Sequence, residues 1–122
     1  MSWLLVFVGG GLGSVARYAV GAFLNTADLS KGQFPWPTLV ANTLACLLLG
    51  AGIALLSRSV FERHHGLLLM TGFCGGFSTF STFSAELLGL YEAGHLAAAL
   101  AYLSCSLLIG VGAIALGAYL LR

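Results

Sequence analysis

Charge is the scarcest property of this sequence. Five Lys or Arg and four Asp or Glu make up 7% of its 122 residues, where soluble domains carry roughly 25%. A soluble domain of this size needs a charged surface to stay dispersed, and there is nothing here to build one from. The net charge of +1 leaves neither a basic stripe for nucleic acid nor an acidic tail. Cysteine is scarce as well. Cys46, Cys74 and Cys105 are odd in number, far apart and each set in an apolar run. That suits neither a disulfide framework nor a metal site, and small buried hydrophobes is the fitting reading. Before the first apolar run, Met1-Ser2 offers no positive stretch, and the run outlasts a signal-peptide core, so it reads as a retained helix.

The chain has apolar length instead. It is 59% hydrophobic, in runs longer than a globular core requires. A spanning helix needs about 20 mostly apolar residues, and four such segments fit: residues 3–24, 37–57, 66–93 and 95–121. Trp3 suits an interfacial anchor and Pro37 the first turn of the second helix. Asp28, Lys31, Gly32 and Pro35 mark a loop, and Arg58, Glu62, Arg63, His64 and His65 a polar turn. The fold class expected is an all-α membrane protein, a single four-helix domain over 1–122 with no soluble part.

Loop charges set orientation through the excess of Lys and Arg on the cytoplasmic side. Arg58, Arg63 and Arg122 fall on one side, Lys31 on the other, and Arg17 lies in the outer half of the first helix. So small a difference predicts insertion both ways and pairing as an antiparallel, dual-topology dimer. Gly9-Gly13 and Gly72-Gly76 are small-xxx-small pairs that let helices approach closely. They serve equally for packing between subunits or within one.

Polar groups at membrane depth are costly, so each calls for a partner or a role. Arg17, in GGGLGSVARY, either snorkels to the interface or draws anions into a vestibule. Asn42, in PTLVANTLACLLLG, offers two donors and an acceptor, with Thr38 one turn earlier on its face. The third segment carries GFCGGFSTFSTFS. Gly72, Gly75 and Gly76 weaken the helix there, and Ser78, Thr79, Ser81, Thr82 and Ser84 follow at once. Back-bonding to carbonyls satisfies some helical hydroxyls without function; five in seven residues exceeds that need. Phe73, Phe77, Phe80 and Phe83 form a stripe whose ring edges are electropositive and can face an anion. A helix broken at this depth needs protein or a cavity to satisfy its freed backbone. Carbonyls released near Gly75 to Ser78, brought together twice about a two-fold axis, would cage a small cation. The residues by themselves describe a hydroxyl- and amide-lined route that favours a hydrogen-bond-accepting anion.

The combination of GGGLGSVARY (9–18), Asn42 and GFCGGFSTFSTFSAE (72–86) resembles the Fluc/CrcB family of fluoride channels, over the whole chain. The resemblance implies passive, fluoride-selective export by an antiparallel homodimer with two pores and a central structural sodium ion, in the inner (plasma) membrane. By motif position it implies that Phe80 and Phe83 line the fluoride path with Asn42, and that Ser81 and Thr82 form part of a polar track. Thr38 and Ser84 are weaker members. It makes Arg17 a vestibule arginine, Glu86 the acid that follows the motif, and Gly75 and Ser78 the donors of the carbonyls that hold sodium. Ser104 and Ser106 have no motif to fix them.

A small four-helix proton-coupled multidrug exporter matches in size. It needs a membrane carboxylate, and the first two helices contain no Asp or Glu; Glu86 is the single deep candidate. A non-conducting subunit of a larger assembly would leave the hydroxyl run unexplained. Nothing approaches a catalytic spacing, and His64, His65 and His95 fall in turns or at a helix start, so no enzyme is expected.

Overall fold

A computed structural model describes all residues, 1–122. It is all-helical, with four crossings long and apolar enough to span a membrane. Helix α1 is Ser2–Leu24 and α2 is Trp36–Ser57. The third crossing comes in two pieces, α3 (residues 63–77) and α4 (Phe80–Glu92), and α5 is Leu96–Leu120. At ~1.5 Å per residue, each full crossing matches a ~30 Å hydrocarbon layer. Only 20 of the 122 residues are buried within the chain, while Phe7, Phe23, Leu108 and Val111 stand exposed. In water so large an apolar surface would aggregate. The chain is a multi-pass membrane protein, and lipid or another helix covers that surface.

Pro37 sits in the first turn of α2, where no N–H is missed. In the connection to α2, a single 3₁₀ turn, Leu29–Lys31, is capped by Asp28, which accepts from the Ser30 backbone and hydroxyl. Those contacts, and then Lys31, hold the Asp28 carboxyl below its ordinary range. His95 Nε2 lies 3.1 Å from the Ser30 carbonyl, so this loop and the α4–α5 turn share one end of the bundle. Arg58 donates to the Leu121 carbonyl at 3.1 Å at the other end, beside the C-terminus.

The third crossing departs from a bent α-helix in two ways. Gly66–Cys74 winds as a π-helix, whose wider turns shift the face presented to α1 away from a 3.6-residue period. The break itself lies after the glycines, not at them. Gly75 keeps helical angles, and the chain turns extended at Ser78 (φ −76°, ψ 155°) and Thr79 (φ −148°, ψ 113°). The glycines instead bring α3 against α1. A methyl group at Gly9 would strike the Leu68 carbonyl, one at Gly13 the Phe73 carbonyl, and one at Gly76 the Gly10 carbonyl. Both small-xxx-small pairs are therefore used within the chain, where they meet each other.

Two small apolar clusters flank the break. Ala41, Ala45 and Phe77 pack on one side of it, and Leu39, Phe83, Leu90, Ala99 and Tyr102 on the other. Between them lies nearly all the polar chemistry of the membrane interior.

Candidate functional site

An extended dipeptide at membrane depth exposes backbone groups that lipid cannot satisfy. Asn42 resolves this for Thr79. Its amide oxygen accepts the Thr79 N–H at 2.7 Å, and its amide nitrogen donates to the Thr79 carbonyl at 3.3 Å. One planar side chain on α2 thus takes the place of both helical partners. The second amide hydrogen of Asn42 remains free.

The Thr79 side chain then restarts the helix. As N-cap of α4 its hydroxyl accepts the Thr82 N–H at 3.2 Å. It also donates to the Thr82 hydroxyl at 3.1 Å and lies 3.3 Å from the Ser81 hydroxyl. These diversions free two carbonyls. The Thr79 N–H that would reach back to Gly75 goes to Asn42, and the Thr82 N–H that would reach Ser78 goes to Thr79. Gly75 is exposed with open space around it. Of the five hydroxyls in the motif, two serve the fold: Thr79 caps α4, and Ser78 back-bonds to the Cys74 carbonyl at 2.8 Å.

Two cavities, each lined in part by polar side chains, meet at Thr79. The first, of about 190 Å³, is lined by Arg17, Thr38, Thr79, Thr82 and Glu86 together with the loop after α1. Arg17 Nε donates to the Gly76 carbonyl at 3.2 Å and joins no ion pair. Its guanidinium therefore ties α1 to α3 and puts a permanent positive charge on the cavity lining. Across from it Glu86 is fully engaged: Thr38 donates to one carboxylate oxygen at 2.8 Å and Tyr102 to the other at 2.6 Å. The Thr38 hydrogen is thus committed to Glu86.

The second cavity, of about 250 Å³, is lined by Asn42, Thr43, Ser78, Phe80, Phe83 and Ser106, among others. It contains no ionisable carboxylate. The Ser106 hydroxyl is buried and has no hydrogen-bond partner. The two phenylalanines differ sharply: Phe83 is buried against Tyr102, ring centroids 5.0 Å apart, whereas Phe80 is 79% exposed. Their own centroids are 6.0 Å apart, with Phe80 reaching out of the chain.

The structure brings Asn42, Thr38, Thr82, Phe80, Phe83, Arg17 and Glu86 to these two cavities, and Ser78 with them. Ser81 and Ser84 line neither one. The sequence reading did not select Tyr102 or Thr79 and left Ser106 unassigned. Thr79 was visible as the Thr of an N-cap pattern once the break was placed. No spacing relates Thr38, Glu86 and Tyr102, so only the fold could join them.

Comparison with known proteins covers nearly the whole chain. The family model described as "CrcB-like protein, Camphor Resistance (CrcB)" matches residues 4–118. A protein of Phocaeicola vulgatus named fluoride-specific ion channel FluC is 39% identical over 119 residues, covering 98% of this chain and 97% of its own. One of Nitrobacter hamburgensis, named fluoride-specific ion channel FluC 1, is 41% identical over 126 residues, covering 100% and 98%. A third, from Rhizobium etli and also named fluoride-specific ion channel FluC, is 41% identical over 123 residues, covering 98% and 94%.

Proposed function

The chain belongs to the CrcB-like family, and on that premise we propose that it is a passive, fluoride-selective channel and not an enzyme. The observation that carries this reading is the lining of the two cavities. Arg17 stands at one end. The second cavity is lined by Asn42, which has one N–H to spare, and by Ser106, whose buried hydroxyl has no partner, and it contains no carboxylate. Fluoride is a small anion that accepts hydrogen bonds strongly. A narrow path must replace its water with donors, and an acid-free lining does not recruit cations in its place. The electropositive edges of Phe80 and Phe83 add to that lining; Thr82 adds a hydroxyl to the Arg17 cavity, and Ser81 and Ser84, which line neither cavity, flank the track on α4. Thr38 acts through Glu86. The same geometry speaks against proton-coupled drug export, since the one deep carboxylate, Glu86, already accepts from two hydroxyl donors.

The working unit is an antiparallel homodimer, inserted both ways in the inner (plasma) membrane and carrying two pores. Phe80 supports it: a residue 79% exposed lines a path only when another surface closes over it. The near balance of loop charge supports the dual topology. The Gly75 and Ser78 carbonyls, released from helical bonding, are the hard oxygen donors a sodium ion takes. Held between two-fold copies of the break, sodium would supply positive charge that ties the two subunits.

Purified protein in liposomes loaded with fluoride or with chloride tests the reading. Rapid fluoride release at an ion-selective electrode, with little chloride release, is the expected result. No fluoride release from folded protein refutes it.

A further inference from the structure

The hydroxyl of Thr79 has one hydrogen and three neighbours, which fixes the direction of the bonds around it. It accepts the Thr82 N–H at 3.2 Å and gives its own hydrogen to Thr82 Oγ1 at 3.1 Å. The Ser81 hydroxyl at 3.3 Å must then donate inward to Thr79. Thr82 Oγ1, its lone pair already supplied with a hydrogen, must point its own hydrogen elsewhere. The open direction is the first cavity, which Thr82 lines with Arg17. Thr79 is itself held in place: it is buried, and Asn42 grips both its backbone polar groups.

We propose that Thr79 is a positioning residue for fluoride: by giving its hydrogen to Thr82, it turns the Thr82 hydroxyl outward as a fixed donor to an anion in the Arg17 cavity. Without it Thr82 would share its hydrogen with the nearest oxygen of the break, and the cavity would lose an oriented donor. Preorganised donors favour an anion because they need no rearrangement when it arrives. The inference rests on the channel reading above and names a residue whose part in it is indirect.

The test measures fluoride efflux from liposomes over a range of fluoride concentrations, with thermal melting of the same preparations. Thr79→Ser keeps both the cap and the hydrogen, so its efflux stays within about twofold of the parent. Thr79→Asn keeps an oxygen that caps α4, so the fold survives; that oxygen also attracts the Thr82 hydrogen. Its half-saturating fluoride concentration should rise about tenfold, the loss of roughly one charge-assisted hydrogen bond. Thr79→Val removes both functions, and adding it to Thr82→Val should cost nothing further in efflux, because both act through one hydroxyl. Parent-like fluoride dependence in folded Thr79→Asn, or multiplicative losses in the Thr79→Val/Thr82→Val double variant, would overturn the assignment. A parent protein that releases no fluoride fails the channel reading instead, and the comparison among variants keeps the two failures apart.

Discussion

On either side of Ser78 the third crossing is held by opposite means. Upstream, α3 lies backbone to backbone against α1, with Gly9, Gly13 and Gly76 leaving no room for even a methyl group. Apart from Arg17 on the Gly76 carbonyl, no side-chain hydrogen bond joins the two helices. Downstream, α4 is held by Thr79 at its cap and by Glu86, which gathers Thr38 from α2 and Tyr102 from α5. Dispersion at close backbone approach favours rigidity and is indifferent to a passing ion. Hydrogen-bonding side chains can also serve a solute. On the proposed channel reading, the contrast gives stability to the first half and the fluoride path to the second, with Asn42 at the joint between them.

The joint should give the largest effect. Asn42→Ala leaves the Thr79 N–H and carbonyl unpaired at membrane depth and removes a donor from the second cavity. Each buried unpaired group costs about 1–3 kcal/mol, so two of them predict a poor yield of folded protein, and the lost donor and loosened break predict a loss of fluoride efflux per folded molecule larger than about tenfold. Asn42→Asp keeps the acceptor for the Thr79 N–H and should fold better while conducting as poorly. Efflux per folded molecule is the measurement, and an Asn42→Ala protein conducting within threefold of the parent would remove the clamp from the account.

Gly9→Ala tests the other half. Its added methyl meets the Leu68 carbonyl, which cannot move without the helix, and overpacking of that kind costs about 1–3 kcal/mol. A lower melting temperature is expected, with efflux per folded molecule within about twofold of the parent. Normal melting with strongly reduced efflux would erase the division of labour between α3 and α4.

How far the sequence could reach follows from the same division. The membrane class, four crossings and a break within residues 72–84 were readable because charge scarcity, apolar length and a Gly-then-Ser/Thr run are local signals. Asn42 and Arg17 stood out because polar groups in lipid are conspicuous one at a time. What could not be read was pairing. Gly9-Gly13 and Gly72-Gly76 each announced a close contact without naming the partner, which proved to be the other pair. The break moved from the glycines to Ser78 and Thr79 because Asn42, 37 residues away, supplies what the extended backbone needs. The π-helix gave no periodic signature in nine residues. Nothing local marks Tyr102, and only the fold puts its hydroxyl 2.6 Å from Glu86.

The smallest effect should come from the same substitution made on the other side of the break. In Gly89→Ala, on α4, the new methyl would lie 2.8 Å from Leu29 Cδ1, the far end of a flexible side chain in the 3₁₀ turn. Leu29 can rotate where the Leu68 carbonyl cannot, so the contact is relieved for about 0.5–1.5 kcal/mol, the cost of a strained rotamer. Alanine also returns about 0.8–1.0 kcal/mol of helix propensity over glycine. The two contributions nearly cancel, which places Gly89→Ala within about 0.5 kcal/mol of the parent in stability and leaves efflux unchanged. One chemical change, Gly to Ala, thus separates a clash with backbone from a clash with a side-chain tip. If Gly89→Ala melted as low as Gly9→Ala, α4 would be packed as tightly as α3, and the contrast between a rigid half and a polar half would be lost.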